Sequence, residues 1–333
     1  MPANLTPEYL EAERAFKEAT SPADKTAALE HMLAVIPKHK GTEKMIGELR
    51  RKIARLKSEQ QSAHKHGPAR GAPVYHVERE GAGQIALAGA PNTGKSALLR
   101  ALTHATPEVA DYPFTTRAPL PGMMLFEDVQ IQLVDLPPLD AEHGESWVPQ
   151  AVRNADAVLL VVDLGAVDLL DEIDNSVAIL DKAKIALGKP EPVPYGYVAK
   201  PTVVVANKSD LPSAQEDFQV FLELLGGRFP ALAVSAQTGE GLDVLRRAAF
   251  ELLGIVRVYS KEPGKKPDLT KPFVLKTGAT VADLAERVHK EILAHLKHAR
   301  IWSQQHSSSV HFDGQMVHRD HVLTDRDIVE LHT

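Results

Sequence analysis

The sequence predicts a doubly wound α/β core, preceded by a helical N-terminal region and followed by a small α+β unit. Three observations carry that expectation. Residues 157–162 and 202–206 are continuous apolar runs, the mark of parallel strands buried on both faces. Helical stretches alternate with strands through the middle of the chain, as in open parallel sheets. Finally, Gly89-Ala90-Pro91-Asn92-Thr93-Gly94-Lys95-Ser96 fits G-x-x-x-x-G-K-[ST], lying between a short apolar strand (85–88) and an amphipathic helix (96–102).

Residues 1–60 read as helical. Thr6-Pro7-Glu8 and Ser21-Pro22-Ala23-Asp24 each place a capping residue before proline at the first helical position. The second helix sets Leu29, Met32, Leu33 and Ile36 on one face and ends at Pro37. A third, over about 42–58, spaces Ile46, Leu49, Ile53 and Leu56 by three and four residues. Charge gathers there. Ten Lys/Arg stand against three Glu between Pro37 and Arg70, in a chain whose net charge is −6. Two readings stand side by side: a solvated helix face, or an arm that meets RNA through salt-sensitive contacts. Residues 61–76, rich in Gly, Pro, Ser and basic side chains, read as a linker.

The core is expected over 77–254. After the phosphate-loop helix, residues 106–116 read as a loop. Strands 122–126 and 130–134 can pair antiparallel across Glu127-Asp128. Residues 168–186, 213–225 and 242–253 read as helices and 231–234 as a short strand. Four prolines within 188–201 mark an irregular surface connection. The final unit, 255–333, changes pattern. Strands 256–259 and 273–275 flank a Lys-rich turn, and Thr280-Val281-Ala282-Asp283 starts a helix with Val281, Leu284, Ala285, Val288 and Ile292 inward. Asp313-Gly314 marks a hairpin between 310–312 and 316–317, and 328–331 closes the chain.

The chemistry concentrates at strand ends. Gly89 and Gly94 let the loop curl so that backbone N–H groups converge on one anion, beside the positive end of a helix. The candidate nucleotide contacts there are Gly89, Pro91, Asn92, Thr93, Gly94, Lys95, Ser96 and Ala97. Lys95 is expected on the β- and γ-phosphates and the Ser96 hydroxyl on Mg2+. Asn207-Lys208-Ser209-Asp210 follows a strand end, where open α/β sheets bind ligands. Asp210 can accept both the ring N–H and the exocyclic amino group of guanine, a donor pair that adenine lacks. Lys208 is expected flat against the base, with Asn207 bracing the loop. Ser235 and Ala236 can offer a backbone N–H to the guanine carbonyl. Asp135 fits the carboxylate that holds Mg2+ through water, and Thr116 the threonine that joins Mg2+ when a γ-phosphate is present. Thr115 is its rival, and the sequence does not separate the two. The expected ligands are therefore GTP or GDP with Mg2+ at Ser96, Thr116 and Asp135, with Lys95, Thr116 and Asp135 as the catalytic set.

Other classes are excluded. Zero cysteines rule out disulfides and thiolate metal sites. The histidines of the last third lack a close carboxylate set and read as surface or hairpin residues. No apolar stretch is long enough to span a membrane, and the N-terminus lacks a secretory leader, so a cytoplasmic protein is expected.

The order GAPNTGKS, YPFTT, DLPP, NKSD and VSA resembles the Obg-type branch of the translation-factor-like GTPases, and within it the developmentally regulated GTP-binding (DRG) proteins. The segment IPKHKGTEKMIGELRRKIARLK is similar to their basic N-terminal helices. The stretch from KTGATVADLAERV to the end resembles a TGS domain, a β-grasp module. The resemblance implies hydrolysis of GTP to GDP and phosphate by in-line attack of water. It also implies a switch working with ribosomes or structured RNA through the basic helix and the TGS domain, with room for a protein partner. It further implies potassium held with the help of Asn92. The chain departs from the family at Pro138, where Asp-x-x-Gly places a glycine whose N–H contacts the γ-phosphate; proline has none to give. Slow unassisted hydrolysis follows, and the alternative reading is a GTP-sensing docking module that scarcely hydrolyses. Leu139 stands where Ras-like enzymes carry a water-positioning glutamine. Residues 164–200 are too short for the small domain that DRG proteins insert in the core.

Overall fold

The structure, a computed structural model, describes residues 8, 14, 22–36, 52, 75, 77–103, 118–140, 144–188, 192–303 and 314–333. The third N-terminal helix apart from Lys52, most of the first, the linker through 74, the loop bearing Thr115 and Thr116, and residues 310–312 lie outside them. The chain divides into two compact units, Met1–Val74 and Tyr75–Thr333. In the first, α1 (Pro22–Val35) opens on the expected proline and buries Leu29 and Met32, with Ile36 buried just past its end.

The second unit is built on a six-stranded sheet. In chain order its elements begin with β1 (Gln84–Ala88), α2 (Lys95–Leu102), β2 (Leu120–Phe126) and β3 (Val129–Asp135). They continue with α3 (Val148–Asn154), β4 (Ala157–Asp163) and α4 (Leu169–Lys182). After β5 (Ile185–Leu187) and β6 (Val198–Lys200) come β7 (Thr202–Asn207), α5 (Ala214–Leu225), β8 (Ala231–Ala233) and α6 (Leu242–Leu252). The sheet order is β2-β3-β1-β4-β7-β8, parallel throughout except at β2, which pairs antiparallel with β3 across Glu127-Asp128. The apolar runs bury both faces because successive side chains alternate. Leu159 and Val161 enter one core with Leu98, Leu99 and Leu245, while Leu160 and Val162 enter the other with Ile173, Phe221 and Leu225.

Two expectations fail here for local reasons. The helix expected over 168–186 stops at Lys182, and Lys184 turns the chain with a φ of 58°. Ile185 is then buried on β5, which pairs in parallel with β6. The connection read as irregular therefore holds β6, paired with a strand at the end of the expected helix, and both three-residue strands are too short to show a period.

A second sheet follows, from β9 (Ile255–Ser260), β10 (Phe273–Lys276), α7 (Val281–Val288), α8 (Lys290–His295), β11 (His298–Ser303), β12 (Gln315–Val317) and β13 (Asp327–His332). Its order is β10-β9-β13-β11-β12, with β13 parallel to β9 and the other pairs antiparallel. Val258, Ala299, Ile301 and Val329 meet Val281 and Leu284 of α7 in one core. A capping box between Thr280 and Asp283 starts α7. The single helix expected here breaks at His289, which is extended and whose Nδ1 accepts the Glu291 N–H to begin α8; Ile292 is left half-buried. β12 pairs with β11, a strand the sequence reading did not assign.

One buried cation ties the two sheets. Arg257 on β9 is 3% exposed and pairs with Glu127 and Asp128 at the β2–β3 turn and with Asp325. Its guanidinium also lies 4.7 Å from the Phe250 ring centroid. The hydrogen bond from Arg257 holds the Glu127 carboxyl below its ordinary value, against the upward push of burial. The turn fixed in this way begins β3, the strand that ends at Asp135.

Candidate nucleotide-binding site

Five strand ends converge on one edge of the six-stranded sheet. The loop after β1 carries Gly89 to Ser96, and β3, β4 and β7 end in Asp135, Asp163 and Asn207. Ser235 follows β8. The loop must be glycine at two points. A Cβ on Gly89 would lie 2.1 Å from the Val161 carbonyl oxygen, and one on Gly94 would lie 2.3 Å from Asn207 Nδ2. Gly94 has a φ of 89° and leads directly into α2, so the first N–H groups of that helix face the loop. Asn92 is itself left-handed, with a φ of 62°, and is exposed at the lip beside exposed Pro91.

On the phosphate side the cleft measures about 530 Å3 and is lined by Asn92, Lys95, Ser96, Ala97, Asp135 and Pro138 among others. Lys95 is buried, and its Nζ donates to the carbonyls of Gly89 (3.1 Å) and Ala90 (2.7 Å). The Ser96 hydroxyl donates to Asp135 Oδ2 at 2.5 Å. Asp135 Oδ1 is buried with no hydrogen-bond partner among the described residues. Burial pushes the Asp135 carboxyl up, against the Ser96 hydrogen bond and the charges of Lys95 and Arg100. Past Pro138, the Leu139 N–H donates to Gly89 O at 3.0 Å, and Leu139 is buried. Thus neither residue 138 nor 139 turns an N–H toward the cleft. Thr116, with its rival Thr115, lies outside the described residues.

The base side is held by a buried amide. Asn207, 2% exposed, donates from Nδ2 to the Thr93 carbonyl (2.9 Å) and accepts the Ala236 N–H at Oδ1 (3.0 Å). It therefore braces the phosphate loop and the loop after β8 together. Thr93 is fully buried beneath the loop, its hydroxyl on the Ala90 carbonyl. Asp210 is exposed, with Oδ1 accepting the Ser235 hydroxyl at 2.6 Å. The backbone N–H groups expected to meet guanine are engaged inside the protein. Ser235 donates to Glu240 O and Ala236 to Asn207 Oδ1. Lys208, left-handed with a φ of 69°, extends its ammonium to Asp163 Oδ2 at 2.5 Å.

Asp163 is one residue that sequence reasoning missed. Its other oxygen accepts the Gly165 N–H at 3.0 Å, so it fixes both the turn after β4 and the lysine beside Asp210. The available signal was its place as the first polar residue after the apolar run 157–162. Glu172, in the first turn of α4, was missed as well. Its Oε2 is buried without a partner among the described residues, and burial together with Asp168 and Asp163 raises its carboxyl.

Comparison with known proteins gives the family of the two sheet-bearing regions. Residues 84–208 match the family model described as "50S ribosome-binding GTPase", and residues 256–333 match the TGS domain. An uncharacterized GTP-binding protein of Methanocaldococcus jannaschii is 31% identical, over 91% of this chain and 90% of its own. Ribosome-interacting GTPase 1 of Saccharomyces cerevisiae is 26% identical, over 92% of this chain and 98% of its own. Developmentally-regulated G-protein 1 of Arabidopsis thaliana is 28% identical, over 91% and 89%.

Proposed function

The chain belongs to the developmentally regulated GTP-binding family of Obg-type GTPases, and on that premise we propose that it hydrolyses GTP to GDP and phosphate as a Mg2+-dependent switch acting with ribosomes or structured RNA. Asp135 carries this reading. A buried carboxyl with one oxygen on a serine hydroxyl and the other unpartnered is costly by itself and suits a hard cation. Ser96 and Asp135 would hold Mg2+, Asp135 through water, and Thr116 completes the set in the triphosphate state. When bound, the ion neutralises charge between the β- and γ-phosphates.

The chain's own residues do the rest. The N–H groups of the loop and of the first turn of α2 bind the phosphates. Lys95 exchanges the Gly89 and Ala90 carbonyls for phosphate oxygens, a stronger charge-assisted pairing. Asp210 selects guanine, and Asn207 holds the two loops at the spacing the nucleotide needs. Buried Leu136 and Leu139 keep water out from below. No side-chain base is assigned, so acceleration comes from positioning and fixed charge. The ribosomal partner rests on the name of the matched family model and of the yeast relative, together with the basic segment at 37–70.

Calorimetry with GTP and GDP in Mg2+, followed by single-turnover hydrolysis with and without ribosomes, tests the proposal. Tight binding of both nucleotides and faster turnover on ribosomes are expected. No binding at millimolar nucleotide removes the reading. A second reading, a GTP-sensing docking module with little hydrolysis, is favoured by Pro138 and by the Leu139 N–H committed to Gly89 O. It predicts binding without acceleration on ribosomes.

A further inference from the structure

The surface beside the guanine loop carries a feature that nucleotide chemistry does not use. A groove of about 660 Å3 runs between the start of α4 and the length of α5. Its floor is core, with Leu164, Leu169 and Phe221 buried. Its walls are apolar and open: Val167, Leu211, Val220 and Leu224 are 105%, 39%, 54% and 62% exposed. These are four of the ten large exposed hydrophobics among the described residues, gathered at one place. On α5, Asp217, Val220, Phe221 and Leu224 follow at i, i+3, i+4 and i+7, a stripe turned to the groove. The charges lining it are Asp168, Asp171 and Asp217, all exposed, with no lysine, arginine or histidine among the lining residues. Carboxylates suit the first turns of helices, but that accounts for none of the uncovered leucines.

We propose that this groove docks a basic amphipathic helix of a partner protein, and that the docked helix slows nucleotide release. The apolar stripe of such a helix covers Val220, Leu224, Leu211 and Val167, while its lysines and arginines meet the three aspartates. The coupling is short. The Leu211 N–H bonds the Lys208 carbonyl at 3.2 Å, and Leu211 packs on the turn at Gly165 that Asp163 holds. Asp163 in turn grips Lys208. A helix pressed on Leu211 and Leu164–Ala166 therefore stiffens the loop that carries Asp210. Docking stands on the groove alone; the effect on release rests on the nucleotide-site reading above.

The probe is a fluorescein-labelled peptide of leucine and lysine, about 18 residues long so as to hold a helix, with leucines on one face. Its counterpart replaces every lysine by glutamate. Full-length protein loaded with a fluorescent GDP analogue is compared with the double variant Val220→Ser, Leu224→Ser; both side chains are exposed, so the melting curve should not move. Polarisation should show the Leu/Lys peptide binding the wild-type chain, at least about tenfold weaker on the variant and weaker in salt, with the Leu/Glu peptide not binding. At saturating Leu/Lys peptide, analogue release should slow on the wild type and not on the variant. Equal binding to both proteins, equal binding of the two peptides, or a dimer of this chain dissolved by the variant would each overturn the docking claim. Unchanged release from a peptide-bound protein overturns the coupling. If no analogue loads at all, the nucleotide reading fails while polarisation still reports on docking.

Discussion

The two sides of the site are built differently. On the base side the side chains brace one another, while the Ser235 and Ala236 amides are engaged inside the protein. Asn207 joins two loops through one buried and one half-buried hydrogen bond, Ser235 positions Asp210, and Asp163 positions Lys208. On the γ-phosphate side they are turned on one another. Lys95 sits on backbone carbonyls, Ser96 on Asp135, and the Leu139 N–H on the loop it faces. On the proposed reading, the side chains that would select guanine are held before it arrives, whereas the groups that would meet a γ-phosphate have to exchange partners. On that reading affinity would rest on one side and the switch on the other.

The sharpest way to break that comparison is at Asp210. Asp210→Asn removes the double acceptor, and GTP affinity should fall about a thousandfold with a relative gain for the xanthine nucleotide, read by calorimetry. Unchanged preference would take base selection away from this loop. Asn207→Ala comes next. It leaves the half-buried Ala236 N–H and the buried Thr93 carbonyl unpaired, which costs about 2 kcal/mol, or about thirtyfold, in GTP and GDP binding alike. A loss confined to GTP would contradict its role as a brace. On the other side, Pro138→Gly restores an N–H and should raise unassisted single-turnover hydrolysis about tenfold, leaving GDP affinity alone. A smaller effect is expected from the alkali ion, with severalfold faster turnover in K+ than in Na+; equal rates would remove Asn92 from that role.

The smallest effect is one of pH. Burial raises the folded Asp135 pKa above the ordinary 3.8, so its charged form destabilises the nucleotide-free protein at neutral pH. That deficit is relieved as pH falls through the raised value and is gone below the ordinary one. Melting temperatures of wild type minus Asp135→Asn should therefore rise as pH falls across that window in the absence of nucleotide. A flat difference would mean that the carboxyl is not strained.

Much of the fold was legible because it is written in local pattern. The runs at 157–162 and 202–206 are long, flanked by polar residues, and sit where two helical layers can cover them. The elements that were misread are short or interrupted. Ile185–Leu187 has too few residues to show a period, and His289 ends a helix whose apolar spacing continues past it. β11 alternates Ala299 and Ile301 inward with polar and aromatic neighbours outward, a pattern hidden by its closeness to the preceding helix.

What the sequence determined by itself is the chemistry of single loops. A glycine, a lysine and a serine at fixed spacing dictate an anion cradle wherever a strand meets a helix, because every group involved lies within eight residues. What tertiary structure decided is which of those groups already have partners. The Asn207 to Thr93 bond spans 114 positions and the Asp163 to Lys208 pair spans 45. Such distances close only through strand register, so the brace, the engaged Ala236 amide and the uncovered groove had to be seen in the fold.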